Sequence, residues 1–395
     1  MQTVALKPGR DKTARQRHPW IFSGALAKKP SKVDPGEIVR ITSYKDEFIA
    51  YGYFNSRSQI AVRLLEWNEN HPVDMDWWHS KIKESVQRRA DLMSGGATDT
   101  CRLVFGEADF LPGLIVDKYA AFLVVQALTA GIERVKKDLL PVLIDLLHPD
   151  GIFERSDSET RALEGLDESG GVLAGVEPPE LLTISENGLK FQANIKSGQK
   201  TAFYIDQRDN RKEAATLARG CHLLDCFSYS GAFSVYCLKG GAKSATLVDS
   251  SSHGLELARA NLKANQLDTA AVDFVQEDVF EALRRYRREG RYFDMIILDP
   301  PKFAPTKSSL KKALSAYKDI NLQAAHLLKP GGILMTFSCS GAVDLQTLQT
   351  VLFWASADSG RQIQILKTLS QGCDHPRLAT FPESEYLKGF ICRIV

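Results

Sequence analysis

From about residue 198 to the C-terminus, short apolar runs alternate with longer amphipathic stretches, the pattern of alternating strands and helices. The strand-like runs are His222–Phe227, Ala245–Asp249, Val272–Gln276, Phe293–Asp299, Gly332–Ser338, Gln362–Leu369 and Leu387–Val395. Helices are expected between them, among them Val279–Arg288 and one around Ser309–Leu328. Alternation of this kind predicts an α/β, doubly wound, mostly parallel sheet. The front of the chain has a different rhythm. Glu37–Thr42, Phe48–Phe54 and Ile60–Leu65, with Asp34-Pro35-Gly36 as a turn, read as closely spaced strands of a small β-barrel. Trp67–Trp78, which contains His71-Pro72, reads as a linker. A central α+β region follows. Its helices are expected at Val73–Met93 and Ile132–Leu147, and its strands at Leu114–Asp117, Ala121–Leu128, Ile152–Glu154, Leu181–Ser185 and Leu189–Asn194. Asn187-Gly188 is a strong hairpin turn. The expected domains are therefore residues 1–72, 73–197 and 198–395.

Composition narrows the class. A chain of 395 residues with 44% hydrophobic and 25% charged residues is that of a soluble globular protein of two or three domains. No apolar run reaches the length of a membrane span, and the N-terminus lacks a signal-peptide core. The seven cysteines are scattered, with no C-x-x-C pair, which argues against a disulfide framework or a structural zinc site and for a cytoplasmic location. The net charge of +2 names no partner. Its distribution says more: Lys7, Arg10, Lys12, Arg15, Arg17, Lys28, Lys29 and Lys32 crowd the N-terminus. Such a cluster either neutralises phosphates or is a solvated basic surface.

In an open parallel sheet, ligands bind beyond the carboxyl ends of the strands, so the residues after each strand carry the chemistry. Here these are Asp225-Cys226-Phe227-Ser228-Tyr229-Ser230-Gly231, then Asp249-Ser250, Glu277-Asp278-Val279, and Asp299-Pro300-Pro301-Lys302-Phe303. An acid ending the second strand suits a ribose diol but does not separate NAD from S-adenosylmethionine. The first loop does. A pyrophosphate needs several glycines for close backbone approach, whereas Gly231 stands alone beside Phe227 and Tyr229. The loop suits a cofactor without phosphates, and Asp278 is placed to accept an adenine amino proton. Each acid alone is also a common helix N-cap. Together, with the Asp-Pro-Pro-Lys-Phe block, they point to an S-adenosylmethionine-dependent methyltransferase and away from a dehydrogenase.

At these residues the sequence resembles the bacterial large-subunit ribosomal RNA methyltransferase I family. The resemblance is carried by Ser197–Arg211 (SGQKTAFYIDQRDNR), Leu224–Phe233 (LDCFSYSGAF), Ile297–Phe303 (ILDPPKF), Phe337–Ser340 (FSCS), Asp374-His375-Pro376 and Pro382–Gly389 (PESEYLKG). It extends forward through Glu154–Asp157 and Leu111–Asp117 to His18–Phe22, and so covers essentially the whole chain. It implies an N-terminal PUA domain, a central α+β domain and a class I, Rossmann-like methyltransferase domain that makes 5-methylcytosine in 23S rRNA. Ala202 and Ala232 stand where glycines are usual, small departures that bear only on fine positioning of the cofactor. The implied cofactor contacts are Gln207, Arg208, Asp225, Phe227, Ser228, Tyr229, Gly231, Asp249, Ser250, Asp278 and Val279.

Carbon 5 of cytosine is a poor nucleophile, and adding a thiolate at carbon 6 makes it reactive. Cys339, just past the fifth strand of the sheet, stands where cofactor and base would meet. Position alone leaves nucleophile and buried packing cysteine both open; the resemblance implies the nucleophile. Cys226 and Cys392 read as packing residues. Asp299 is expected to hydrogen-bond the exocyclic amine or N3 edge of the base, with Pro300, Lys302 and Phe303 on the substrate side. The cytosine must be unpaired or flipped out. Trp20 and Phe22 either stack on a base or pack in a core. The expected partners are ribosomal RNA and no membrane; a homodimer is compatible with the sequence. Two other readings remain: an RNA guanine N-methyltransferase, which needs no thiol, and a non-catalytic RNA-binding ribosome-assembly factor that keeps the fold.

Overall fold

Apolar positions near the N-terminus build a five-stranded sheet from β1 (Gln2–Ala5), β2 (Trp20–Ile21), β3 (Ile38–Thr42), β4 (Phe48–Phe54) and β5 (Val62–Glu66), in the order β1-β3-β4-β5-β2. A short helix, α1 (Lys12–Arg15), precedes β2. The edge strand β1 is tied to the segment just downstream of β2 by an isolated bridge, Leu6–Leu26. Lys7 N–H donates to Ala25 O and Ala27 N–H to Ala5 O, both at 2.9 Å. The computed structural model describes residues 1–30, 32–157, 159–303 and 310–395.

The expected linker Trp67–Trp78 is corrected in its second half. Asp74 caps a helix, α2 (Met75–Gln87), by accepting from Trp77 N–H, and the helix buries Trp77 and Trp78. Two adjacent tryptophans, three and four residues past the cap, belong to a core, and the apolar gain outweighs the turn character of His71-Pro72. The central region continues with α3 (Ala90–Met93), β6 (Thr100–Phe105), β7 (Leu114–Tyr119), β8 (Phe122–Ala127), α4 (Ala130–Leu147), β9 (Gly151–Ser156), α5 (Glu159–Leu163), β10 (Ser169–Gly175) and β11 (Leu182–Glu186). Its sheet runs β10-β9-β8-β7-β6.

Both regions belong to one compact unit, Met1–Asn187 with Ala193–Ile205 and Asp374–Ser384. They share buried polar contacts. The Tyr53 hydroxyl bonds Pro112 O at 2.7 Å and Thr129 Oγ1 at 2.8 Å. The buried Arg63 guanidinium donates to Glu107 at 2.7 Å and Glu164 at 3.0 Å. Trp20 joins the same network: Nε1 donates to Glu107 at 2.8 Å, and its ring lies 4.7 Å from that of Phe381. Phe22 is 52% exposed, so it is no core residue.

The second unit comprises Gly188–Gln192, Asp206–Cys373 and Glu385–Val395. It receives most of β12 (Leu189–Ala193), then α6 (Arg208–Leu217), β13 (His222–Cys226), α7 (Ala232–Lys239), β14 (Ser244–Asp249), α8 (Ser252–Ala264), β15 (Val272–Gln276), α9 (Val279–Arg288) and β16 (Phe293–Leu298). After these come α10 (Leu310–Leu327), β17 (Leu328–Ser338), α11 (Leu345–Ser359), β18 (Ile363–Ser370) and β19 (Lys388–Ile394). Position 309, where the helix around Ser309–Leu328 was expected to begin, lies outside the described residues. The seven strands run β15-β14-β13-β16-β17-β19-β18, with β13 to β17 parallel and β19 antiparallel to both its neighbours.

The central strands are buried on both faces, which is why they read as continuous apolar runs. The helix α9 shows how the covering layer is specified. Its buried residues Val279, Ala282, Leu283 and Tyr286 fall at helical spacing on one face. Asp278 caps it, Glu281 sits in its first turn, and Arg285, Arg287 and Arg288 in its last, each favourable for the helix dipole. Burying aliphatic side chains of this size contributes about 1.5–3 kcal/mol each. Residues of α9, α10 and α11 form one core with the central strands, while α7 and α8 pack on β13 and β14 outside it.

The join between the first sheet and α4 is tight enough to test. A Cβ at Gly131 would lie 2.3 Å from the Tyr53 ring. Gly131→Ala is expected to cost about 1–3 kcal/mol through overpacking, read as a lower urea midpoint. An unchanged midpoint would show that this join yields.

Candidate functional site

The loop after β13 is held in an unusual conformation. Phe227, Tyr229 and Gly231 all take the left-handed region, at φ 59°, 43° and 67°. For the two aromatic residues this costs roughly 1–2 kcal/mol each, and strain of this kind concentrates at functional sites. The loop is fastened by backbone bonds: Gly231 N–H to Ser228 O at 2.7 Å, Ser228 N–H to Val248 O at 3.2 Å, and Tyr229 N–H to Asp249 Oδ2 at 2.8 Å. Gly231 is required by space as well as by φ. A Cβ there would meet Ala258 at 2.8 Å and Leu247 at 2.9 Å. Ser228 is buried, and its hydroxyl has no hydrogen-bond partner among the described residues.

Carboxylates line the strand ends. Asp225 is buried and accepts a 2.6 Å bond from the Ser234 hydroxyl. Burial pushes its carboxyl up to about 7, against that hydrogen bond and with the help of the neighbouring carboxylates Asp299 and Asp249. Asp249 uses one oxygen for Tyr229 N–H and the other for Ser251 N–H, each at 2.8 Å. Each oxygen keeps a second lone pair for a ligand hydroxyl. Ser250 is exposed beside it. Asp278 is exposed and caps α9 with Oδ1, which leaves Oδ2 for a ligand. The side chain of Val279 lies in the core cluster, so it offers backbone only.

At the end of β17 the chain turns through Ser338, Cys339 and Ser340. Ser338 Oγ–H donates to the Tyr317 hydroxyl at 2.9 Å, and that hydroxyl bonds Ser340 Oγ at 3.1 Å. On the other side Lys388 Nζ donates to Ser340 O at 3.1 Å and Tyr386 O at 3.0 Å. Cys339 itself is half-buried, with Sγ 4.0 Å from Pro300 O. The cysteine and the Asp299-Pro300 loop are thus brought together. Lys302 is exposed, whereas Phe303 packs its ring 4.8 Å from Tyr317, 5.9 Å from Phe280 and 6.2 Å from Phe227.

The start of α6 and the residues just before it reach the same edge of the sheet. Asp206 accepts from the Tyr386 hydroxyl at 2.6 Å, and Asn210 Nδ2 donates to Ser370 O at 3.0 Å. Gln207 and Arg208 between them are buried, and Gln207 Nε2 has no partner among the described residues. Sequence reasoning missed Tyr317 and Lys388. Lys388 falls inside the PESEYLKG run, where its charge at the head of the apolar run Phe390–Cys392 was the available signal. Tyr317 lies mid-helix with none.

The buried carboxyl makes a pH prediction. Between its ordinary 3.8 and about 7, folded Asp225 holds a proton that the unfolded chain has released. Stability therefore falls as pH rises through that window, by about 1.4 kcal/mol per unit, and levels off above it. Asp225→Asn keeps an acceptor for Ser234 and removes this dependence. Urea unfolding of both proteins from about pH 5 to about pH 8 should show the variant gaining on wild type up to about pH 7. A constant difference would mean that Asp225 does not ionise in that range.

Comparison with known proteins fits this geometry. The family profile of a PUA-like domain matches residues 4–67, and that of an S-adenosylmethionine-dependent methyltransferase matches residues 165–367. The chain is 42% identical over 393 residues to "Ribosomal RNA large subunit methyltransferase I" of Erwinia tasmaniensis, covering 99% of both chains. A solved protein from Streptococcus mutans superposes over 100% of both chains with TM-score 0.86 at 21% identity. Another solved protein, complexed with SAH, does so with TM-score 0.87 at 22% identity. Those two likenesses show the fold. The near full-length identity shows more: this chain, S-adenosylmethionine-dependent by its matching domain, belongs to the ribosomal RNA large subunit methyltransferase I family.

Proposed function

We propose that this enzyme methylates carbon 5 of a cytosine in 23S ribosomal RNA, with Cys339 as the nucleophile. The observation that carries the reading is the placement of one half-buried thiol at the end of β17, against the Asp299-Pro300 loop. Cys226, Cys237 and Cys392 are buried, and burial pushes each of their thiols up, which makes them inert.

The residues present suit S-adenosylmethionine. Asp225, Asp249 and Asp299 gather negative charge where a cationic ligand would balance it. Asp249 has lone pairs for ribose hydroxyls, and the buried Ser228 hydroxyl and Gln207 amide are available to polar groups of a ligand. When bound, this cofactor supplies an electrophilic methyl group. The protein's own task is to make carbon 5 able to take it.

In the proposed course, the thiol loses its proton and a sulfur lone pair forms a bond to carbon 6. The electrons of the 5,6 double bond then become available at carbon 5, and Asp299 steadies the amine or N3 edge of the ring. After carbon 5 has bonded the methyl group, it gives up its proton. The 5,6 double bond re-forms as the carbon 6–sulfur bond breaks, returning the thiolate. The base must be unpaired or flipped out for sulfur to reach carbon 6. Residues 1–72, with their exposed basic cluster, are the proposed RNA-holding part, residues 73–197 the central domain and 198–395 the catalytic domain. No described helix is long and apolar enough to cross a membrane; this reading puts the enzyme in the cytoplasm with its ribosomal substrate.

Asp249→Ala should weaken S-adenosylmethionine binding by roughly 1.5–3 kcal/mol, the worth of a charge-assisted hydrogen bond. Calorimetry with unchanged affinity would remove Asp249 from the cofactor site.

The nucleophile is tested directly. Cys339→Ala should bind cofactor and RNA yet form no 5-methylcytosine, whereas Cys226→Ala should retain methylation. RNA carrying 5-fluorocytosine should trap the wild-type enzyme in a species that survives denaturing electrophoresis and is absent from Cys339→Ala. Methylation retained by Cys339→Ala would sink the mechanism and favour a nitrogen-methylating enzyme.

A further inference from the structure

Lys388 is the first residue of β19 and only 4% exposed. A buried lysine is rare unless its charge has a use or a partner. The register of the sheet pairs it with Ser338 of β17 on one side and Ser370 of β18 on the other. From there its Nζ reaches across to Ser340 O. Lys388 therefore straddles the turn that presents Cys339: its backbone pairs at the residue before it, and its side chain is hydrogen-bonded at the residue after it. Both acceptors of the ammonium are main-chain carbonyls, which hold its position without neutralising its charge.

We propose that Lys388 is a positioning residue whose ammonium, fixed in the Ser338–Ser340 turn, stabilises the Cys339 thiolate and so activates it toward an electron-poor ring carbon. The step is a proton transfer: the thiol proton leaves to solvent, and the sulfur keeps the electron pair. This inference rests on the reading of Cys339 as nucleophile. The thiolate is the reactive form of cysteine, and a neighbouring cation is a standard way to populate it at neutral pH.

The titratable groups that act on this pair come from several surrounding elements. Glu385, just before β19, and Asp344, which caps α11, favour the charged form of Lys388, as does the Cys339 thiolate itself. Burial acts the other way and is the larger influence, lowering Lys388 from its ordinary 10.5. Tyr317, from α10, is pushed up by burial and stays neutral, so it orients the turn without charging it. Asp299, at the end of β16, precedes the Pro300 carbonyl that faces Sγ. Among these groups Lys388 is the cation, and its effect on the thiol is opposed by the acids.

The test is the rate of iodoacetamide alkylation of the full-length protein as a function of pH, read at the Cys339 peptide by mass spectrometry. That separates Cys339 from the exposed Cys373 and the half-buried Cys221. The wild-type thiol should titrate below the ordinary value of ~8.5. Lys388→Gln, which keeps a donor but no charge, should raise it by about one unit and slow alkylation near neutrality about tenfold. Lys388→Arg, which keeps the charge, should titrate with wild type. A wild-type thiol at or above ~8.5, a glutamine variant that titrates with wild type, or an arginine variant that titrates with the glutamine one would each overturn the proposal. If Lys388→Gln fails to fold, the wild-type value decides alone. Because the readout is the thiol and not methylation, failure here is distinct from retained methylation in Cys339→Ala.

Discussion

The parallel pairing of β16 with β17 sets the geometry on which the rest of the site depends. Leu298 lies opposite Thr336, so the two strands end within a few residues of each other. One end delivers Asp299 and Pro300, and the other delivers Cys339. No loop has to be long or adaptable to bring acid and thiol together, because the sheet ladder does it. The prolines then stiffen one side, and the Tyr317 and Lys388 hydrogen bonds stiffen the other. Placing reactive groups at the ends of rigid strands is the general advantage of a doubly wound sheet.

Burial acts on both signs of charge at this edge. It raises Asp225 and lowers Lys388, favouring the neutral form of each. What differs is the neighbourhood. Asp225 faces further carboxylates, which deepen its shift, while the acids near Lys388 counter it. A cation entering beside Asp225 relieves repulsion among acids, whereas the lysine is already surrounded by groups that favour its charge. The same sheet edge is thereby prepared at one point to receive positive charge and at another to supply it.

Much of this was legible in the sequence because strands buried on both faces must be apolar throughout. Ala245–Asp249 and Phe293–Asp299 could therefore be read to within a residue, and with them the acids that follow. β10 was not legible. Ser-Gly-Gly-Val-Leu-Ala-Gly has little strand propensity of its own and becomes a strand only by pairing with β9. Trp77 and Trp78 fell where the expected linker Trp67–Trp78 overlapped the expected helix Val73–Met93; the helix reading holds there, and their burial depends on partners far away in the chain. The role of Asp278 divided: the sequence allowed a cap or an adenine contact, and one oxygen makes the cap. Lys388 escaped because nothing local says which carbonyls a buried lysine will meet.

The N-terminal unit carries its own constraint on how RNA recognition can be studied. Arg63 from the first sheet sits between Glu107 and Glu164 of the central region, and Asn55 also donates to Glu164 at 2.9 Å. Removing the first sheet would leave Glu164, buried and acidic, without its cation. Breaking a buried pair by deleting one partner typically costs about 3–5 kcal/mol, before any loss of apolar packing around Tyr53. A truncation that abolished RNA binding would therefore report unfolding as readily as recognition. The exposed basic residues offer a cleaner handle. Arg10, Lys12, Lys28 and Lys29 lie on the surface, so neutralising them tests the proposed phosphate attraction while leaving the buried network whole.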